Sequence, residues 1–301
     1  RQAAAAQGPM QDDLGIDGLR CDFGQGLPPQ FWEYFINHTR RLKWNFVFMA
    51  ETLDGGEPGR RSNRQFDILN ENIVFAFKTM TATAQFREAY EGRRSTYDGG
   101  AILLNLTSHD EEMPFADPWR TASRYGCNVM IDGLPMLFYG QERGIVPATG
   151  TTGGADQGFA RFELNFGKYV PHFKQWNQAT FWETPPAYSA GLEQWYGRVN
   201  GARLASAALR SPNRYFLSRR EGGGDNPKIL AAAKVEKGGA GPSPSNDVVL
   251  AFALILDEAH AAASETYDLR GPWALLGLRA ERLYNVRDLA SSESEAYLWP
   301  E

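Results

Sequence analysis

Apolar runs of strand length alternate with helix-like stretches in the first half of the chain, up to about residue 145. This alternation is typical of βα units that build a parallel sheet. One of the helix-like stretches has Phe31, Trp32 and Phe35 at helical spacing behind Pro29, as expected of an amphipathic crossover helix. The predicted strands of this half are Ile16–Phe23, Phe46–Ala50, Ile73–Phe77, Ile102–Leu106 and Leu134–Tyr139.

The second half has a different pattern. After an irregular stretch, Leu192–Leu209 is predicted as a closing helix, and short β runs separated by Gly-, Pro- and Ser-rich turns follow it. Such runs favour a small antiparallel sandwich. We therefore predict an α/β domain over residues 1–209 and an all-β domain over 210–301. The β runs are Tyr215–Ser218, Ile229–Val235, Val248–Leu256, Glu265–Leu269 and Leu283–Val286.

The composition of the chain argues against several classes of binding partner. The chain has 31 Lys and Arg against 36 Asp and Glu, a net charge of −5, and no basic run, so we expect no nucleic-acid partner. No apolar run approaches the roughly 18 residues that span a bilayer, so we expect a soluble chain without a membrane partner. Cys21 and Cys127 lie in apolar stretches and are interpreted as small buried hydrophobes. The compartment and the oligomeric state stay open.

Three acidic residues stand at or just after the ends of predicted strands: Asp22, Glu51 and Asp110. The first two are 29 residues apart, and the second and third are 59 apart. A (β/α)8 barrel uses about 31 residues for each βα unit, so the gaps correspond to one unit and two units. This spacing predicts that all three carboxylates lie on the C-terminal rim of a barrel, where such folds place their chemistry.

The surroundings of two of these acids differ. Arg20 shares a strand face with Asp22 and can hold it ionised, as a nucleophile requires, whereas the apolar run before Glu51 favours a protonated general acid. Two carboxylates in unlike environments are the usual machinery of glycoside hydrolysis. A single acid at a strand end is more often a salt-bridge partner or a helix cap, but three in register favour a catalytic site.

Four segments resemble motifs of the α-amylase family, glycoside hydrolase family 13. Gly18–Asp22 resembles the strand-four motif G-x-R-x-D, Ala50-Glu51 is similar to the strand-five motif, and Ser108–Asp110 resembles the N/S-H-D motif of strand seven. Gly133–Glu142 is similar to the strand-eight motif G-x-P-x-I/L-x-Y-G-x-E. Each match alone is weak, but the four occur in the family's order at barrel spacing.

The resemblance implies a (β/α)8 barrel represented from about strand 4 to strand 8, followed by a small antiparallel β-sandwich domain. It implies that Asp22 is the nucleophile, Glu51 the general acid/base and Asp110 the acid that stabilises the transition state. Arg20 would orient the nucleophile, and His109 would bind sugar hydroxyls. The implied activity is retaining hydrolysis of α-glucosidic bonds, mainly α-1,4, in starch, glycogen or maltooligosaccharides, with the carboxyls of Asp22 and Glu51 about 5 to 5.5 Å apart.

Further substrate contacts would come from rim aromatics, for which Trp119, Trp176 and Trp182 are the candidates. The family commonly has His four residues after the nucleophile, where this chain has Gly26, so acceptor specificity is open. No cofactor or metal is required for the chemistry. A structural calcium ion is possible, but its usual ligands belong to a region that the matched segments do not include.

Two further expectations concern the extent of the chain and the alternatives. Only 15 residues precede Ile16, whereas a fourth strand requires three earlier βα units, so we expect a truncated sequence that folds poorly alone. A transglycosidase with the same residues would differ only in its acceptor. A non-catalytic glucan-binding or interaction homologue is the alternative from a different class.

Overall fold

The computed structural model describes residues 15–52, 65–70, 76–77, 79–97, 99–108, 115–144, 182–255, 265–279, 281–290 and 296–298. The chain divides into two compact units. The first consists of Arg1–Ala76 and Phe86–Leu104, and the second of Phe77–Gln85 and Asn105–Glu301.

The first unit contains a parallel sheet whose strands pair in chain order. The strands that this unit contributes are β1 (Gly18–Cys21), β2 (Val47–Glu51), β3 (Ile68–Asn70) and most of β4 (Ala101–Asn105). Helix α1 (Pro29–Leu42) connects β1 to β2, and helix α2 (Thr83–Thr96) precedes β4. The prediction of parallel strands with intervening helices is therefore confirmed, and this sheet fits part of a (β/α)8 barrel.

The third strand was predicted in the wrong place. The prediction was Ile73–Phe77, of which residues 73–75 lie outside the described residues and Phe77 is helical, whereas the described strand is Ile68–Asn70. The position of the strand is set by its neighbours, because the Asp67 N–H donates to the Phe48 carbonyl and the Asp67 carbonyl accepts from the Ala101 N–H. Parallel pairing on both sides outweighs local apolarity.

Helix α1 covers the sheet with an apolar face. It begins at Pro29, whose fixed φ suits a first helical position, and it buries Trp32 and Ile36. The Trp32 ring meets Phe66 edge-on with centroids 5.0 Å apart, and Phe35 meets Phe48 at 5.8 Å. These contacts attach the helix to the sheet.

The second unit holds the remaining elements. They are α3 (Pro118–Val129), β5 (Leu134–Met136), α4 (Ser189–Ala205), α5 (Ala207–Arg210), β6 (Arg214–Phe216), β7 (Ile229–Val235), β8 (Val248–Leu254), α6 (Trp273–Leu276), β9 (Asn285–Arg287) and β10 (Ala296–Leu298). Strands β6, β7 and β8 form an antiparallel sheet in that order, and β9 pairs with β10.

Strand β7 is buried on both faces. Ala231, Ala233 and Val235 join Leu217 and Leu276 in one apolar cluster, while α5 packs against the strand as well. This two-sided burial explains why the strand is almost continuously apolar instead of alternating. The described residues show two small antiparallel sheets, and the sandwich arrangement remains a prediction. Within the described residues no helix is long and apolar enough to cross a membrane.

Candidate active site

Asp22 and Glu51 come at the carboxyl ends of two neighbouring parallel strands. The register pairs Cys21 of β1 with Ala50 of β2, and Asp22 and Glu51 are the next residues along the two strands. Parallel strands end at the same edge of a sheet, so both side chains belong to one rim. The backbone pairing therefore puts these two residues at the strand ends where the spacing predicted them, and their catalytic roles stay predictions.

One guanidinium contacts both carboxylates. Arg20 Nη1 pairs with Asp22 Oδ1, and Arg20 Nη2 lies 3.2 Å from Glu51 Oε1. The planar fork of arginine carries both contacts at once, which a lysine could not do with the same geometry. The two carboxyls are therefore held to the two ends of a single rigid group.

The two carboxylates differ in their access to solvent. The side chain of Asp22 is 78% exposed, whereas that of Glu51 is 12% exposed. The expected difference in environment is present, but Glu51 lies among donors and is not in an apolar pocket. Its Oε1 faces Arg20, and its Oε2 accepts a hydrogen bond of 2.9 Å from the Phe23 N–H.

Phe23 has an unusual backbone. Its φ of 47° and ψ of 49° place it in the left-handed region, and among the described residues it is the one non-glycine residue with a positive φ. Such a conformation is uncommon outside Gly, Asn and Asp, and it is found disproportionately at functional sites. The residue that adopts it here directly follows Asp22.

The turn after Phe23 is tied to the strand and helix beside it. Residues Gly24–Gly26 form a single 3₁₀ turn, in which the Gly26 N–H donates to the Phe23 carbonyl over 2.8 Å. The Gly24 carbonyl accepts from Trp32 Nε1 over 2.8 Å. Gly24 also lies so close to the end of β2 that an added Cβ would be 3.2 Å from both Ala50 Cβ and the Glu51 carbonyl oxygen.

Cys21 lies beside these acids and stays a thiol. Burial raises its pKa, and the Arg20 charge opposes this effect without reversing it. Burial likewise raises the pKa of Cys127 to about 12. Both cysteines are free and buried, which confirms their interpretation as small hydrophobes and makes thiolate chemistry unsuitable for either.

In the second unit, two aromatic rings stack on each other, and one of them belongs to Gly133–Glu142, the segment that resembles the strand-eight motif. Tyr139 and Trp182 lie with centroids 4.8 Å apart and planes 21° apart, and Arg143 donates to the Trp182 carbonyl over 3.0 Å. The Arg143 guanidinium also lies 5.5 Å from the centre of the Trp182 ring. Tyr139 is 62% exposed, so this stack offers aromatic surface to a ligand.

The remaining predicted site residues are placed as follows. His109, Asp110 and Trp176 lie outside the described residues, although β4, which leads towards the first two, is part of the sheet. Trp119 packs against Gly191 of α4. A Cβ atom added at Gly191 would lie 3.3 Å from the Cζ2 atom of Trp119. In the described ranges no group of three or more His, Cys, Asp or Glu residues is arranged to hold a metal ion.

Sequence reasoning missed the part played by Phe23. Its backbone N–H is a contact of Glu51, yet a backbone group carries no residue-type signal. The two glycines in the D-F-G-Q-G stretch were the available sign, since close glycines indicate a tight turn.

Several solved structures have a fold similar to that of this chain, among them an α-amylase, a cyclic α-maltosyl-(1→6)-maltose hydrolase and AmyP. One is AmyP in complex with maltose, with TM-score 0.57 and 14% identity, covering 84% of this chain and 66% of that one. Another is the α-amylase of Geobacillus thermoleovorans complexed with acarbose, with TM-score 0.55 and 14% identity, covering 78% of this chain and 48% of that one. The chain shares its fold with α-amylase family enzymes.

A third similar structure is a hydrolase of a cyclic sugar. It is the cyclic α-maltosyl-(1→6)-maltose hydrolase of Arthrobacter globiformis, with TM-score 0.53 and 18% identity, covering 78% of this chain and 48% of that one. The chain spans about half the length of the Geobacillus α-amylase and of the Arthrobacter hydrolase. Family models give no match to the sequence, and curated proteins give none either.

Proposed function

We propose that this chain belongs to the α-amylase family and carries part of the active site of a retaining glycosidase. Its substrate would be an α-glucan or maltooligosaccharide. The observation that carries the proposal is the single guanidinium of Arg20 in contact with both Asp22 and Glu51 at the ends of adjacent parallel strands. The folds of the similar structures agree with this assignment, since each of them acts on or binds such sugars.

In the proposed mechanism Asp22 attacks the anomeric carbon while Glu51 gives its proton to the glycosidic oxygen. The C–O bond to the leaving sugar breaks, and a glycosyl ester of Asp22 forms. Glu51 then takes a proton from water, whose oxygen displaces Asp22 and restores the α configuration. Asp110 would stabilise the positive charge of the transition state, and His109 would bind sugar hydroxyls.

The exposure of the two acids suits these roles. A nucleophile must reach the sugar, and Asp22 is the open member of the pair, in contact with the Arg20 guanidinium. Glu51 is held by two donors in a less exposed position, so its orientation is fixed before substrate arrives. The Tyr139–Trp182 stack belongs to the second unit and has a flat aromatic face of the kind on which sugar rings rest.

The test is turnover of a chromogenic maltooligosaccharide by the full-length protein, with the anomeric form of the first product followed by NMR. Retained α product that is lost in Asp22→Asn supports the proposal. Asp17→Asn is the matched control, because Asp17 stands at the other end of β1 and pairs with Lys43. Absence of turnover would favour the non-catalytic homologue, and a β product would contradict the retaining mechanism.

A transglycosidase remains the second candidate within the same chemistry. The observation that keeps it open is Gly26, which stands where the family commonly has a histidine on the acceptor side. Product analysis on maltoheptaose decides between them, because transfer yields products longer than the substrate and hydrolysis does not.

A further inference from the structure

The turn that follows β5 in the second unit is tied to helix α4 by a buried side chain. Gln141 is 2% exposed, and its Nε2 donates to the Tyr196 hydroxyl over 3.1 Å. Its Oε1 accepts the Phe138 N–H over 3.4 Å. The backbone that carries Tyr139 and Arg143 on either side of Gln141 is thereby held from the interior.

Arg143 holds the ring on which Tyr139 lies. Its Nη1 donates to the Trp182 carbonyl over 3.0 Å, and its guanidinium carbon lies 5.5 Å from the centre of the Trp182 ring. The Tyr139 ring stacks on Trp182 with centroids 4.8 Å apart. Tyr139 is nevertheless 62% exposed, so the stack presents a flat aromatic face to solvent.

An ion pair stands beside this stack. Arg143 Nε lies 2.9 Å from Glu193 Oε1, and the two side chains are 30% and 43% exposed. The two charges neutralise each other, so the pair favours neither a cationic nor an anionic ligand. The guanidinium still has N–H donors and the carboxylate still has lone pairs for the hydroxyl groups of a neutral ligand.

A sugar ring matches this surface in both respects, because its C–H face is apolar and its edge carries hydroxyls. We propose that the stack and the ion pair form a glucan-binding site of the second unit. Tyr139 receives the C–H face of a glucosyl ring, and Arg143 and Glu193 bond to its hydroxyls. The choice of an α-glucan as ligand rests on the proposed function, whereas the site itself uses neither carboxylate of the first unit.

The first test measures binding without turnover, by calorimetry of maltoheptaose with the full-length protein carrying Asp22→Asn. Tyr139→Ala removes the aromatic face and should raise the Kd about tenfold, whereas Tyr139→Phe keeps the face and should change it by less than about threefold. Tyr34→Ala is the control, because Tyr34 is 70% exposed and stacks on His38 of α1, and it should leave the Kd unchanged. An unchanged Kd in Tyr139→Ala, or equal losses in Tyr139→Phe or Tyr34→Ala, would overturn the proposal.

The ion pair is tested in the same background. Arg143→Met keeps an unbranched side chain but removes the donors, and it should raise the Kd about threefold or more. Arg220→Met, at an exposed position of the same unit, is the control and should have no effect. Equal Kd values in the two variants would overturn the part assigned to the ion pair.

A second measurement observes the site itself. In protein labelled with ¹⁵N-tryptophan, the indole signal of Trp182, identified by its loss in Trp182→Phe, should shift when maltoheptaose is added, and this shift should be lost in Tyr139→Ala. A wild type in which Trp182 responds but no glycosidase activity is found would refute the proposed function and support the site. Turnover with retained α product and an unresponsive Trp182 would refute the site and leave the proposed function.

Discussion

Asp22 is the open carboxylate of the pair, and its replacement by asparagine tests the nucleophile directly. An amide has nearly the same shape but cannot form the glycosyl ester, so kcat should fall by several orders of magnitude. The fold should survive, because the side chain is 78% exposed. The measurement is kcat on a maltooligosaccharide with circular dichroism of the same sample. Activity within about tenfold of the wild type would show that Asp22 has another role.

Glu51→Gln should discriminate between leaving groups. The amide can keep an acceptor for the Phe23 N–H but has no proton to donate, so natural substrates should become very slow. A dinitrophenyl maltoside should still form the glycosyl intermediate, which then accumulates because water has lost its base. Mass spectrometry of the intact protein detects the adduct. Equal losses on both substrates, without an adduct, would assign Glu51 to another function.

Among the elements, α4 is joined to the end of α3 by one arginine. Arg203 Nη1 donates to the carbonyls of Val129, Ile131 and Leu209 at 2.7, 2.6 and 3.0 Å, and Nη2 donates to the Gly133 carbonyl at 2.8 Å. The bonds to Val129, Ile131 and Gly133 satisfy carbonyls that α3 and the following turn leave without helical partners, and the bond to Leu209 reaches α5. The arginine thereby fixes the segment that leads into β5.

Arg203→Met should therefore destabilise the protein strongly. The methionine fills much of the volume, but the buried carbonyls lose their donor, so the free energy of unfolding should fall by about 3 kcal/mol or more. Urea unfolding followed by circular dichroism measures the change. Arg220→Met, at an exposed position of the same unit, is the control and should change stability by less than about 0.5 kcal/mol. A similar small change in Arg203→Met would mean that the carbonyls find other donors.

For the molecule as a whole, a buried lysine gives stability a dependence on pH. Lys234 lies on β7 with no solvent exposure, and its ammonium donates to the Ser211 carbonyl. Burial lowers its pKa from 10.5 to about 8, although the charge of Asp132 acts in the opposite direction. Between pH 8 and 10.5 the unfolded chain thus holds a proton that the folded chain has lost.

Because the unfolded chain binds more protons than the folded chain between pH 8 and 10.5, stability should rise with pH in this range. Below about pH 8 both states are charged and the full cost of burying the ammonium is present, and this cost is relieved as the pH rises towards 10.5. The stability of the wild type relative to Lys234→Met should rise by about 3 kcal/mol over this range. Urea titrations of both proteins at pH 7, 8.5 and 10 test this, and groups such as Tyr125 cancel in the comparison. A difference that stays constant with pH would contradict the buried charge.

Some features of the strands and of the candidate site could be predicted from the sequence because they depend on local residue order. The places of Asp22, Glu51 and Arg20 on the strands were predicted from sequence because a βα unit has a nearly fixed length and a strand has a period of two, while their catalytic roles stay predictions. Strand β7 was predicted with its observed bounds, Ile229–Val235, because its apolar run is bounded by turn residues. These features are local, so the order of residue types was sufficient.

Other features depend on residues distant in sequence. The position of β3 was set by hydrogen bonds of Asp67 with Phe48 and Ala101, which lie on two neighbouring strands. The left-handed Phe23 depends on contacts with Glu51 and Trp32, because its own side chain disfavours that conformation. The chain alone therefore specified which side chains stand at the strand ends. Long-range pairing specified how the backbone between them holds Glu51, because hydrogen bonds across the sheet outweigh the local preferences of the residues involved.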